Sequence, residues 1–302
     1  MRRMLVVIGI ILLLTAGFAA LNWTKLSVLP NPWGKLTVLP IRGGAYWIRG
    51  GVSNTGFVVG EHGVIVIDPQ MFQTTARTAL AEIGRVTTKP VRHLIVTHAD
   101  PDHINGLPAY AAGIEIIAQE NSRRRMVAAL ANSSWSLSSP SPSLRYHLPT
   151  RIVGDAATLD LEGVRVRLLH VGPAHTDGDL IVFLPRQRIV YAGDILTPAV
   201  GPYPGLHLEH GGSSLGWIKF VETMLKLDAD IFVSGHGEPL TAPEVKMRLD
   251  LAVRRRAEIG TLVRRGMTLD QIKAVLRDPK PAGVAALFPT FTENTYRELG
   301  GK

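Results

Sequence analysis

Four side chains able to bind a metal crowd into one short stretch, Thr97-His98-Ala99-Asp100-Pro101-Asp102-His103. His98, Asp100, Asp102 and His103 offer imidazole nitrogen and carboxylate oxygen, donors that suit Zn2+ at about 2.0–2.2 Å. The stretch follows the apolar run Val91–Val96, which reads as a buried strand. A turn out of a strand end can aim several such side chains into one cavity. Taken singly, the residues have plainer readings. Asp100 before Pro101 suits a helix N-cap followed by proline in the first turn, and His98 suits a core histidine. The metal reading gains from what recurs downstream. His175 lies in Gly172-Pro173-Ala174-His175-Thr176-Asp177-Gly178-Asp179, after the apolar run Val166–Leu169. Asp194 ends Tyr191-Ala192-Gly193-Asp194, and His236 sits in Val233-Ser234-Gly235-His236-Gly237. Every group follows an apolar run, a pattern that caps and turns do not account for together.

Other chemistries are excluded or unsupported. The chain has no cysteine, so disulfides, thiolate metal sites and a Cys nucleophile are ruled out. His207 and His210, in Gly205-Leu206-His207-Leu208-Glu209-His210, either line a substrate mouth or are ordinary exposed loop histidines. His170 reads as a supporting or structural residue, and His62, His93 and His147 carry no signal.

The elements that must position these groups alternate between two periods. Tyr46–Arg49, Gly56–Val59 and Val64–Ile67 read as strands of a meander, and Thr74–Gly84 as a helix. After Val91–Val96 come a predicted helix Ile104–Ala112, a strand Ile114–Ala118 and a helix Glu120–Ala131. A Ser/Pro-rich loop, Asn132–Ser143, reads as a flap or a plain connection. Val164–His170, Leu180–Leu184, Arg188–Tyr191 and Ile231–Val233 read as strands. Ser214–Lys226, Ala242–Arg265 and Leu269–Leu276 read as helices. Strands and helices in both halves suggest two packed sheets with helices outside.

Arg2 and Arg3 precede Met4–Leu21, an uncharged stretch between a signal-peptide core and a membrane span in length. We read residues 1–21 as a signal peptide, with Gly17-Phe18-Ala19 as a cleavage signal, or as a membrane anchor. Residues 22–40, rich in Pro and Gly, read as a linker, and 41–302 as the main domain. The positive flank stays inside, placing the domain in the periplasm or otherwise outside the cytoplasm. Net charge is +8, but Arg123–Arg125 and Arg254–Arg256 fall in predicted helices, where adjacent residues fan out rather than form a stripe. No nucleic-acid partner is expected, and the oligomeric state has no signature.

The order His-x-Asp-x-Asp-His, Gly-x-x-His-Thr, Gly-Asp, Gly-His-Gly resembles the metallo-β-lactamase superfamily from about Ile41 to Leu240. Ala-His-Thr-Asp-Gly-Asp and the later Gly-Gly-Ser-Ser-Leu-Gly resemble a periplasmic branch of it. The resemblance implies an α/β fold, a four-layer αβ/βα sandwich with metals at one edge between the sheets. It implies that His98, Asp100 and His175 hold one metal, that Asp102, His103 and His236 hold a second, and that Asp194 bridges them. Asp68, closing Val66-Ile67-Asp68, stands where the family often has a supporting aspartate; it also suits a strand-end turn. Asp100 departs from the commoner histidine, so ligand and cap readings both stay open there. Two divalent cations against three carboxylates leave a net charge of +1, which points to Zn2+ with tolerance for Mn2+ or Fe2+. The implied activity is hydrolysis of a small-molecule ester, thioester, lactone or lactam by a hydroxide bridging the two metals, with Asp102 as a proton shuttle. An iron-dependent, persulfide-oxidising type of oxidoreductase and a non-catalytic metal-binding protein are the competing readings. A nuclease is disfavoured by the export signal.

Overall fold

The computed structural model describes residues 35–131, 142–278, 286 and 288–301. Strands β1 (Thr37–Arg42), β2 (Ala45–Arg49), β3 (Thr55–Val59) and β4 (Val64–Ile67) form an antiparallel meander. Helix α1 (Gln73–Val86) crosses to β5 (Val91–Ile95), which lies parallel to β4. The short helix α2 (Pro101–Ile104), strand β6 (Glu115–Gln119), helix α3 (Glu120–Ala131) and strand β7 (Arg151–Val153) complete a seven-stranded sheet in sequence order. Then follow β8 (Ala156–Leu161), β9 (Val164–Leu169), β10 (Ile181–Leu184), β11 (Ile189–Tyr191), α4 (Ser214–Leu225), β12 (Ile231–Val233) and β13 (Leu240–Thr241). These strands make a six-stranded sheet ordered β13-β12-β11-β10-β9-β8, with β11 and β12 parallel. Helices α5 (Ala242–Arg264), α6 (Leu269–Leu276) and α7 (Phe291–Glu298) close the chain.

Strand periodicity builds the layers. Successive side chains point to opposite faces, and β4, Val-Ile-Val-Ile, is buried throughout. Ile65 and Ile67 join Ile95, Ile117, Leu168, Val182 and Val233 in the core between the sheets. Val64 and Val66 instead pack with Leu94, Ala76, Ala79 and Ile83 under α1. On the second sheet, Ile181, Phe183 and Phe232 turn outward against Trp217, Phe220, Val245 and Leu249 of α4 and α5. A strand apolar on both faces needs cover on both, and helix–sheet–sheet–helix is the arrangement that supplies it. Helix starts are marked by capping boxes, Thr241 with Glu244, Thr268 with Gln271 and Thr290 with Glu293.

The structure departs from the sequence reading in several elements. The helix expected over Ile104–Ala112 is instead α2 followed by a 3-10 turn at Leu107–Ala109. Gly106 donates its N–H to Gln70 O at 2.9 Å, and Pro108 has no N–H to continue a helical ladder. Strand β1 starts inside the stretch read as linker and pairs with β2. The linker reading overlooked it because Pro40 sits on a sheet edge, where a missing N–H is tolerated. Strands β7, β8 and β13 and helix α7 were also not anticipated. Residues 1–21, read as leader or anchor, lie outside the described residues, as do 22–34 and 132–141. Among the described residues no helix is long and apolar enough to cross a membrane.

Candidate metal centre

The parallel pairs β4/β5 and β11/β12 end at one edge of the sandwich. Thr97 and His98 leave β5, and Asp100, Asp102 and His103 follow on the entry to α2. His175 lies on the β9–β10 connection, Asp194 in the 3-10 turn Gly193–Ile195 after β11, and His236 just past β12. Backbone bonds lock these ends together. Leu180 N donates to Thr97 O at 2.8 Å, Gly235 N to Gly193 O at 2.8 Å and Asn54 N to Gly235 O at 2.7 Å. Gly235 must be glycine because a Cβ would overlap Asp194 Oδ1.

Two groups of ligand-type atoms result. In one, His175 Nε2 lies 3.0 Å and His98 Nε2 3.6 Å from Asp100 Oδ2. In the other, His236 Nε2 lies 3.0 Å from Asp102 Oδ2, and His103 Nε2 is 3.4 Å from the same oxygen. Asp194 belongs to both neighbourhoods: Oδ1 is 3.1 Å from His103 Nε2, while Oδ2 is 3.2 Å from His236 Nε2 and 3.8 Å from His175 Nε2. All seven residues singled out in the sequence therefore converge. Asp100 occupies the N-cap position of α2, yet its side chain makes no capping bond. Its carboxylate is turned into the site instead.

Each histidine is held by its Nδ1. His103 Nδ1–H donates to Asp68 Oδ2 at 2.9 Å, His175 to Gly205 O at 3.0 Å and His236 to Val52 O at 2.9 Å. His98 Nδ1–H donates to Thr97 Oγ1 at 3.1 Å, and that hydroxyl donates onward to Asp68 Oδ2 at 2.7 Å. With Nδ1 of each ring committed to these acceptors, Nε2 faces the cavity, where it would offer a lone pair to a cation, as metal-ligating histidines do. Nε2 of His98 and of His103 and Oδ1 of Asp194 are buried without a hydrogen-bond partner. Such orphans cost about 1–3 kcal/mol each, and a cation in each group would satisfy them. The donor set thus fits a pair of divalent cations.

Burial would raise the Asp100 carboxyl, but the adjoining rings of His175, His207, His210 and His98 hold it well below the usual range. Asp102 and Asp194 are held low, against burial, by His103 and His236. Burial would lower His175, but Asp100 lifts it to about 10. His236 is lifted to about 10 by Asp194 and Asp102 in the same way.

His207 and His210 also reach the site. His207 Nδ1 is 2.8 Å from Asp100 Oδ2 and His210 Nδ1 is 3.1 Å from Asp100 Oδ1. His170 stays apart from these groups, its Nδ1 bonded to Asp179 O at 2.9 Å. His93, without signal in the sequence, bridges Glu115 and Glu162 at 3.0 Å each. Sequence reasoning missed the acceptors Val52 O and Gly205 O, since any residue carries a carbonyl. It also missed Asn294, buried on α7, which donates to Leu206 O at 2.8 Å and so steadies the loop holding His175. A buried asparagine two residues before an aromatic gives no local warning of that contact.

Residues 48–236 match the family model described as the metallo-beta-lactamase superfamily. The chain is similar to a linear primary-alkylsulfatase of Pseudomonas sp. (strain ATCC 19151), 22% identical over 72% of this chain and 48% of that protein. Among solved structures it resembles the stereoselective inverting sec-alkylsulfatase Pisa1 from Pseudomonas sp., with TM-score 0.65 and 17% identity over 88% of this chain and 50% of that one. It also resembles a metallo-beta-lactamase from Pontibacter korlensis, with TM-score 0.58 and 19% identity over 72% of this chain and 99% of that one. The chain spans about half the length of the alkylsulfatase relatives.

Proposed function

Because the chain belongs to the metallo-beta-lactamase superfamily, we propose that it is a metal-dependent hydrolase with a two-cation centre, acting on a small ester, thioester, lactone or lactam. His98, Asp100 and His175 would hold one cation and Asp102, His103 and His236 the other, with Asp194 placed beside both groups. The reading is carried by one observation: two His/Asp groups, one buried and one partly buried, meet at Asp194, with each ring locked through Nδ1 and its Nε2 turned inward. Zn2+ suits this nitrogen and oxygen set, and the third carboxylate widens tolerance to Mn2+ or Fe2+.

When bound, paired cations supply an acidified water and an electron-withdrawing pull on the scissile group. The chain's own residues orient and move protons around that chemistry. Asp102 is the most exposed of the three site carboxylates, 20% against 6% for Asp100 and 10% for Asp194. It takes the proton of the attacking water and passes it to the leaving group. Sulfate esters are the first members of the ester class to try, since the alkylsulfatase similarity spans most of the chain. We further propose an extracytoplasmic location, from Arg2-Arg3 and the apolar stretch Met4–Leu21; cell fractionation with N-terminal sequencing tests it.

The decisive experiment pairs metal analysis of the full chain with a panel of an alkyl sulfate, an acyl thioester, a lactone, a β-lactam and a phosphodiester. Turnover of one of these, abolished by chelation and restored by Zn2+, Mn2+ or Fe2+, is expected. No turnover with any of the three metals refutes the hydrolase reading.

A further inference from the structure

Asp100 differs from a histidine in one property that matters here: it has two oxygens with lone pairs on both sides. A histidine at this position would spend one ring nitrogen on the cation and the other on a supporting acceptor. Asp100 instead turns Oδ2 toward His98 and His175 and leaves Oδ1 toward the loop of residues 201–213. That loop brings two further rings. His210 Nδ1 lies 3.1 Å from Oδ1, in hydrogen-bond geometry. His207 Nδ1 lies 2.8 Å from Oδ2, at ion-pair distance, yet this buried nitrogen has no partner in hydrogen-bond geometry.

A nitrogen and a carboxylate oxygen at 2.8 Å without hydrogen-bond alignment are not directed at each other. That arrangement is expected when both lone pairs point at a shared third atom. A protonated His210 bonded to Asp100 accounts for one pair alone; it leaves His207 Nδ1 unexplained. The His207 ring is not free to turn away. It packs against His175 with ring centroids 4.5 Å apart and stacks on Phe288 at 5.9 Å and 20°. The loop backbone is pinned as well: His207 N donates to His175 O at 2.9 Å, and Gly212 N donates to His207 O at 2.8 Å. Gly211, at φ +73°, makes the reversal that returns His210 to Asp100.

We propose that His207 and His210, which lie outside the four motifs of the two-cation set, form with Asp100 a third divalent-cation site at the mouth of the centre. Its ligand atoms lie within 4.8 Å of one another. Two imidazoles and one carboxylate suit Zn2+ or a similar transition cation, and three protein ligands leave a position open, the pattern of a site that also binds a small molecule. Side-chain exposure rises outward, from 6% at Asp100 through 20% at His207 to 39% at His210, so the open position faces solvent. The third cation also offsets the negative charge that an aspartate adds where a neutral histidine would add none. The proposal rests on the two-cation reading of the inner groups.

The test counts ions. Full-length protein is stripped with a chelator and titrated with Zn2+ alone, and bound metal is measured after dialysis. The same is done for the His207→Ala/His210→Ala double variant and for His210→Gln, a change at a partly exposed side chain that keeps the protein testable if the double variant misfolds. We expect three ions per chain in the wild type and two in both variants, with unchanged circular dichroism. Two ions in all three proteins overturn the outer site while leaving the inner pair intact. Three ions retained in the variants, or a fall from two to one, overturn the assignment of these histidines. Fewer than two ions in the wild type remove the two-cation reading and the outer site with it.

Discussion

Asp68→Asn isolates the support of the metal centre from its ligands. Asp68 is 3% exposed and touches none of the cavity-facing Nε2 atoms. Its carboxylate accepts three hydrogen bonds: Thr97 N–H at 2.8 Å, Thr97 Oγ1–H at 2.7 Å and His103 Nδ1–H at 2.9 Å. Its backbone sits at φ +57°, a left-handed conformation that asparagine tolerates well, so the substitution adds little strain. The amide keeps the volume but has one acceptor oxygen where the carboxylate has two. If the NH2 faces His103 and Thr97 Oγ1, donors oppose donors; if it turns, it opposes Thr97 N–H. Either way His103 or Thr97, and through Thr97 Oγ1 also His98, loses its anchor. Loss of such a supporting partner costs roughly 10–100-fold in metal affinity, or about 1.4–2.7 kcal/mol. Competition against a chromogenic zinc chelator reads that range directly. Zn2+ affinity within twofold of wild type, in a variant with native circular dichroism, would refute the role given to Asp68.

Metal loading should release protons, because His175 and His236 are raised to about 10 in the metal-free site and are protonated at neutral pH, whereas a ligand ring is neutral. Apparent Zn2+ affinity therefore rises with pH between 6 and 9, on the order of tenfold per unit per proton displaced; calorimetry in two buffers of different ionisation heat counts the protons, and none released contradicts the assignment. Gly235→Ala forces a methyl into Asp194 Oδ1 and the Gly193 carbonyl, and should cost ~1–3 kcal/mol of stability and at least one bound metal; a variant that loads metal normally would show that Asp194 can move aside. Asn294→Ala removes the bond to Leu206 O and leaves a buried carbonyl short of a donor, lowering the unfolding free energy by about 1–2 kcal/mol in urea titration. Trp217→Ala opens the core over the second sheet and breaks the Nε1–H bond to Ile195 O, for ~3–5 kcal/mol; a loss under 1 kcal/mol would mean that α4 repacks freely.

Much of this protein is legible along the chain. The buried run of β4, with Val64 and Val66 facing one way and Ile65 and Ile67 the other, is a strand because its length, flanking turn and β-branched content admit little else. His98, Asp102, His103, His175, Asp194 and His236 were readable because each follows an apolar run, and a strand end is where side chains leave a sheet together. Edge strands were less legible. In β8, Ala-Ala-Thr-Leu-Asp-Leu, only Leu159 and Leu161 are buried, and its partner β9 defines it more than its own composition does. The helix expected at Ile104–Ala112 failed at Gly106, whose tie to Gln70 O comes from a segment distant in the chain.

By itself the sequence determined the donor chemistry, nitrogen and carboxylate without sulfur, and the strand ends that carry it. Tertiary structure alone decided where Asp100 points. An aspartate before a proline is compatible with a cap or a ligand, and only the approach of His175, His207 and His210 from connections far along the chain turns its carboxylate inward. The carbonyls of Val52 and Gly205, which set the planes of two rings, were likewise beyond reach. Side-chain type and period are local properties that a sequence displays, whereas a hydrogen bond to a distant backbone oxygen exists only once the sheets have packed.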